Sequence, residues 1–221
     1  MQLVVDISSQ KITAGLFEGD RLVQTAQMKR PEQVLEFLQG KTIEQSLIAG
    51  DAKNLMTLLA AQHFPCRALV PAELTMDKTL SLLEPDRIAN IFGALYHFPL
   101  NDCVIVDLGE VIRFDYVTRQ GVYLGGALFP NILTEADGQT PVLGKDKLEQ
   151  TKSGSYFGLL GAIERLVAEL RLSSETPSAV MAIATGELAR TMQKDLEDFI
   201  DKVDPDLTLR GLNQILKEEK I

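Results

Sequence analysis

The sequence predicts an α/β fold of two similar domains, each built on a mixed sheet. Two observations carry this. The first is a repeat. Leu3-Val4-Val5-Asp6 is followed by Ile7-Ser8-Ser9-Gln10, a second strand from Lys11 to Phe17, and Glu18-Gly19-Asp20. Cys103-Val104-Ile105-Val106-Asp107 is followed in the same way by Leu108-Gly109-Glu110, a strand from Val111 to Thr118, and Arg119-Gln120-Gly121. The second observation is that strands and helices alternate after each copy, which is the pattern of α/β domains. The copies lie 101 residues apart, too far for a solenoid, and duplication of one domain explains the spacing. The expected architecture is a pair of β-β-β-α-β-α units around a central cleft. Asp6 and Asp107 would point into it from opposite sides, as carboxylates that hold a metal-bound phosphate do.

Taken in order, residues 2–7, 11–17 and 21–27 read as three strands, with Gly19-Asp20 as a hairpin signal. Pro31 to Gln39 reads as a short helix with Pro at its first position and Gly40 beyond its end. Ser46 to Ala49 is a strand, Asn54 to His63 has apolar residues at helical spacing, and Arg67 to Val70 is a strand stopped by Pro71. Ala72 to Leu83 is polar and irregular. A helix is expected from Asp86 to His97, opened by Pro85 and by an acidic residue that suits the helix dipole. The second half restarts with strands at 102–108, 110–118 and 122–128. A loop is expected at Ala136 to Lys145, a long helix at Ser153 to Leu172, a strand at Ser178 to Ala184, and helices at Glu187 to Val203 and Leu209 to Glu219.

Composition narrows the function class. The 221 residues carry a net charge of −9, which argues against nucleic acid, where a basic stripe supplies the binding energy. Hydrophobic content is 45% with a mean hydropathy of +0.04, ordinary for a folded soluble chain. No charge-free run reaches the ~18 residues of a membrane span. The N-terminus enters a strand and meets Asp6 at once, unlike a signal peptide, so a cytoplasmic protein with no membrane partner is expected. Cys66 and Cys103 have neither CxxC spacing nor histidine companions and read as buried free thiols. His63 and His97 each precede a Phe in apolar context and read as core or interface histidines.

Several motifs admit a structural and a functional reading. Asp6 and Asp107 either cap the turn that follows or serve a ligand, and their recurrence favours the ligand. Glu84-Pro85-Asp86-Arg87 is a helix start, and an Asp beside an Arg can also act as a base whose neighbour grips an anion. Tyr123-Leu124-Gly125-Gly126-Ala127 suggests a bulge or close backbone packing. Gly144-Lys145-Asp146-Lys147 is not part of a GxxxxGK[ST] loop, which is absent from the chain. Thr185-Gly186-Glu187 joins a strand to a helix and could offer backbone amides to a ligand.

In chain order, the set Val5-Asp6, Pro85-Asp86-Arg87-Ile88-Ala89-Asn90, Val106-Asp107-Leu108-Gly109, Tyr123-Leu124-Gly125-Gly126-Ala127, Gly144-Lys145, Ser153-Gly154, Ala184-Thr185-Gly186 and Leu207-Thr208-Leu209-Arg210-Gly211-Leu212 resembles the type III pantothenate kinases. These belong to the acetate kinase, sugar kinase, heat-shock chaperone and actin superfamily, and the resemblance covers nearly the whole chain. It implies two actin-like (ribonuclease H-like) domains, here 1–84 and 85–221, and a homodimer. It implies transfer of the ATP γ-phosphate to the hydroxyl of pantothenate, in coenzyme A synthesis, with Mg2+ and a monovalent cation, K+ or NH4+. Carried over by position, Asp6 would hold magnesium and phosphate, and Asp86 would accept the hydroxyl proton. Arg87 and Lys147 would bind substrate, Asp107 would bind the monovalent cation, and Gly109, Glu110 and Gly186 would line the nucleotide phosphates.

The chain departs from the family pattern at the ligand motifs. Asp-x-Gly-Asn-Thr is here Asp6-Ile7-Ser8-Ser9-Gln10, and the glycine that admits phosphate to the backbone is gone. In the second phosphate motif a hydroxyl donor has become Glu110, a like charge beside a triphosphate. Gly-x-Asp-Arg has become Glu84-Pro85-Asp86-Arg87, Gly-Lys-Asn-Thr has become Gly144-Lys145-Asp146-Lys147, and Thr-Gly-Gly has become Thr185-Gly186-Glu187. Two main readings follow: a divergent working kinase, or a non-catalytic relative kept for binding or regulation. A third is a kinase for another small hydroxyl substrate.

Overall fold

The computed structural model describes residues 1–8, 11–74, 79–133 and 140–218. Ser9 and Gln10 of the first phosphate motif, 75–78 of the irregular segment, 136–139 of the expected loop and Glu219 at the expected helix end lie outside the described residues. The contacts divide the chain into two compact units, residues 1–97 with 207–221, and residues 98–206.

The first unit opens with β1 (Gln2–Ile7), β2 (Ile12–Glu18) and β3 (Arg21–Met28). It continues through α1 (Glu32–Phe37), β4 (Gln45–Gly50), α2 (Lys53–Ala61), β5 (Arg67–Ala68) and α3 (Pro85–His97). Its sheet runs β3-β2-β1-β4-β5, antiparallel among the first three strands and parallel across β1, β4 and β5. β1 is buried on both faces, which is why its sequence is an unbroken apolar run. Leu3 and Val5 face a core formed with Val34 of α1, Leu38 just past its end, and Leu55 and Leu59 of α2. Val4 faces the other way, into a core with Ile88, Ala89 and Phe92 of α3.

The second unit holds β6 (Asp102–Leu108), β7 (Val111–Val117), β8 (Tyr123–Pro130) and α4 (Lys147–Leu172). After these come β9 (Val180–Thr185), α5 (Glu187–Thr191), α6 (Gln193–Leu196) and β10 (Lys202–Val203). Its sheet order, β10-β9-β6-β7-β8, is the first sheet's order strand for strand. The duplication read from the sequence is therefore a duplication of topology. The α/β class with mixed sheets stands.

The chain then returns to the first unit as α7 (Leu207–Glu218). The division at 84/85 read from the sequence thus differs from the grouping of contacts, and the reason is the pairing of α3 with α7. A Cβ on Gly211 would lie 1.7 Å from the Ala89 carbonyl oxygen, and one on Gly93 would lie 2.8 Å from that of Leu207. These glycines let the two helix backbones meet. Leu209, Leu212 and Ile215 then join Ile88 and Phe92 over Val4 and Leu47. Asn213 Nδ2 donates to the Gly19 carbonyl at 2.9 Å and Gln214 Nε2 to Asp20 Oδ1 at 2.9 Å, so α7 also holds the β2–β3 turn.

Other expectations change in detail. The long helix begins at Lys147, six residues before the expected Ser153, because Asp146 caps it: Asp146 Oδ1 accepts from the Glu149 amide at 2.9 Å. The single helix expected over 187–203 is two short helices and an edge strand. Met192, at φ −91 and ψ 4, interrupts it, and Lys202–Val203 pairs in parallel with β9. The apolar faces of α3 and α4 are buried in the cores of their own units. His63 and His97 are both exposed rather than core residues. Cys103 is buried and Cys66 partly so, and burial pushes the Cys103 thiol up to about 12.

Candidate functional site

Asp6 is the penultimate residue of β1, opposite Thr13 on β2 and Ala49 on β4. Strand alternation puts it on the same sheet face as Val4, the face that carries α3. The first turn of α3 holds Asp86 and Arg87. The fold thus brings Asp6, Asp86 and Arg87 to one side of one sheet. After Asp6 the chain turns at Ser8, whose amide donates to the Lys11 carbonyl at 2.9 Å, while its Oγ accepts from the Lys11 amide at 3.2 Å. Where the family pattern has a glycine open to phosphate, this chain has a serine bonded across its own turn. Beside it, Gly50 at φ +88 lies so close to β1 that a Cβ would meet the Ile7 carbonyl oxygen at 2.1 Å.

The Asp86 carboxylate accepts from the Arg87 amide at 2.9 Å, so it sits at the N-terminal rim of α3, where a negative charge is stabilised. Arg87 Nη1 donates to Glu84 Oε2 at 3.1 Å, with the Arg87 side chain 14% exposed and Glu84 58% exposed. Glu84 replaces the family's glycine, and it places a carboxylate on the guanidinium expected to grip substrate.

In the second unit Asp107 has the position of Asp6, one residue from the end of the central strand. It lies opposite Arg113 on β7 and Thr185 on β9. Its neighbours Val106 and Leu108 face the α4 core, and Asp107 takes the opposite face. Arg113 Nη1 is 3.5 Å from Asp107 Oδ2. Gly186, at φ +90, closes against this carboxylate: a Cβ there would come within 2.6 Å of Asp107 Oδ1 and 2.8 Å of the Leu108 backbone. Thr185 is 1% exposed, and its Oγ1 is a buried polar atom with no hydrogen-bond partner. Gly109 and the exposed Glu110 form the β6–β7 turn, tied from below by Asn131 Nδ2, which donates to the Gly109 carbonyl at 2.9 Å.

Lys147 is exposed at the first position of α4, two residues past the expected loop. Its motif is a helix cap: Glu149 Oε2 accepts from the Lys145 amide at 2.7 Å, and a Cβ on Gly144 would lie 2.3 Å from the Gln150 amide nitrogen. Asp6, Asp86 and Arg87 lie in the first unit, and Lys147, Asp107, Gly109, Glu110 and Gly186 in the second. The residues the sequence reading missed are Arg113 and Asn131. Arg113 had a signal: a β6–β7 turn centred on Glu110 puts residue 113 across from 107.

Asp6 is one carboxylate near the end of its strand, and magnesium is usually held by one or two carboxylates together with substrate phosphates. Among the described residues no group of three or more His, Cys, Asp or Glu side chains could hold a metal ion alone. No helix there is long and apolar enough to cross a membrane.

The model of the type III pantothenate kinase family matches residues 2–169. A type III pantothenate kinase 1 of Francisella tularensis is 30% identical, with 96% of this chain and 95% of the relative covered. A type III pantothenate kinase of Dehalococcoides mccartyi is 26% identical over 99% and 96%. The Francisella alignment runs over 250 positions against the 221 residues here, so this chain spans its relative with internal deletions. An inorganic polyphosphate/ATP-glucomannokinase of Arthrobacter superposes at a TM-score of 0.56 with 12% identity, covering 99% of this chain and 98% of that one. The ethanolamine utilization protein EutJ of Carboxydothermus hydrogenoformans superposes at 0.56 with 14% identity, over 96% and 88%. These two likenesses show the fold alone.

Proposed function

The chain belongs to the type III pantothenate kinase family, and from that premise we propose that it transfers the γ-phosphate of ATP to the hydroxyl of pantothenate with a weakened hold on the nucleotide. The observation that carries this reading is the equivalence of Asp6 and Asp107, each the penultimate residue of the central strand in two sheets of identical order. In this reading Asp6 holds magnesium, which when bound neutralises charge on the phosphates. Asp86 takes the hydroxyl proton, and Arg87 and Lys147 orient the substrate. Phosphoryl transfer rests on positioning and charge neutralisation, so these few side chains suffice.

Two features support the weakening: Ser8 closes the turn after Asp6 on itself, and Glu110 brings a carboxylate to the second phosphate turn. Glu84, paired with Arg87, competes for the substrate's anchor instead. The same features favour a second reading, a relative that binds ligand without turnover. A coupled ADP-release assay with pantothenate and Mg-ATP separates the two. Pantothenate-dependent ADP supports the kinase; ATP binding without it supports the second reading.

We further propose a homodimer in the cytoplasm. The edge strand β8 leaves Leu124 58% and Leu128 66% exposed on one face, an apolar surface of the kind a second copy covers. Sedimentation of the native chain and of Leu128→Glu tests this: a dimer that the substitution dissociates is expected.

A further inference from the structure

Asp107 is where the family resemblance puts a monovalent metal ion, and the side chains around it do not fit one. Arg113 Nη1 stands 3.5 Å from Asp107 Oδ2, with the two side chains 26% and 14% exposed. The pairing is built into the sheet, because Asp107 and Arg113 are directly opposed on β6 and β7. The other carboxylate oxygen faces the Gly186 backbone, which leaves no room for even a Cβ. A hard metal cation gathers several oxygen ligands, and here one carboxylate already carries a guanidinium. A metal ion at that carboxylate would meet a like charge in a largely buried setting, where salt screens poorly.

We propose that Arg113 is a tethered cation: its guanidinium takes the place at Asp107 that a potassium or ammonium ion would take, so nucleotide binding by this chain is independent of monovalent cations. The inference rests on the reading that the Gly109-Glu110 turn receives the ATP phosphates. A guanidinium is charged at every physiological pH and cannot diffuse away. It also stands in the same hairpin as Glu110, whose carboxylate opposes a triphosphate, and offsets that charge.

The test is calorimetric titration of Mg-ATP at constant ionic strength, in potassium chloride and in tetramethylammonium chloride. The native protein is expected to bind equally, within about twofold, in both salts. Arg113→Gln should bind about tenfold or more weakly in tetramethylammonium and recover in potassium, while Arg113→Lys, which keeps the charge, should retain the native indifference to salt. Potassium-dependent binding by the native protein, which needs no variant to observe, would overturn this inference alone. So would Arg113→Gln binding like the native protein in tetramethylammonium. No binding in either salt would overturn the kinase reading, and this inference with it.

Discussion

Arg87 donates from Nη1 to the carboxylate of Glu84, three residues earlier, across 3.1 Å. The guanidinium is nearly buried and the carboxylate is mostly in solvent. An anionic substrate that seeks Arg87 must therefore displace or share a carboxylate already in place. Ion pairs with one partner in solvent contribute about 0.2–1 kcal/mol, so Glu84→Gln should lower KM for pantothenate by about 1.4- to fivefold with kcat little changed. Steady-state kinetics with pantothenate varied checks this, and an unchanged KM would count against Arg87 as the substrate's anchor.

Asp86 lies one residue before that anchor, at the rim of α3. If it takes the pantothenate proton, Asp86→Asn should reduce kcat by about 10²–10⁴-fold, the usual worth of a positioned base. ATP affinity, measured by titration, should stay near native. Full turnover by the variant would remove Asp86 from the chemistry.

Glu110 sits exposed in the turn after Asp107. Glu110→Thr removes a like charge beside the expected triphosphate, and Mg-ATP should bind tighter by roughly fivefold, about 1 kcal/mol. Calorimetry gives the answer directly. No tightening would assign the weakened hold to Ser8 and its closed turn.

Backbone geometry makes two opposite stability predictions. Gly186 is at φ +90 against the Asp107 carboxylate, so Gly186→Ala should destabilise by about 1–3 kcal/mol from backbone strain alone, before the clash is counted. His63 is the reverse case, a non-glycine residue at φ 59 in the cap that ends α2, where the Phe64 amide bonds to the Leu59 carbonyl at 3.0 Å. His63→Gly should stabilise by about 0.5–1 kcal/mol. Urea unfolding of both variants measures the two signs.

The C-terminal helix carries a pH signature. Lys217 and Gln214 bond to Asp20 and hold its carboxyl below the usual value of 3.8. A depressed folded-state pKa gives stability that is present above the unfolded value and is lost as pH falls through the folded one. Asp20→Asn should therefore flatten the acid limb of the stability curve below about pH 4 and leave its shape at neutral pH alone. Thermal unfolding from neutral to acid pH tests it.

The repeat of strand, aspartate and hairpin determined the α/β class, the duplicated topology and the positions of Asp6 and Asp107. These are local or nearly local: a buried central strand must read as an apolar run, and a hairpin must carry its turn residues. The start of α4 was also legible, in the spacing of Asp146 and Glu149, though the long apolar pattern from Ser153 masked it. What only the tertiary structure decided depends on residues far apart in the chain. Gly211 and Gly93 let α7 close on α3, and that contact across more than a hundred residues assigns both helices to the first unit. The ion pairs of Asp107 with Arg113 and of Arg87 with Glu84 belong to the same class, because sequence names the charges but not which face each one takes or what stands across from it. Strand register and helix phase set those directions, and they turned two expected ligand sites into sites whose charge is already partly answered from within the protein.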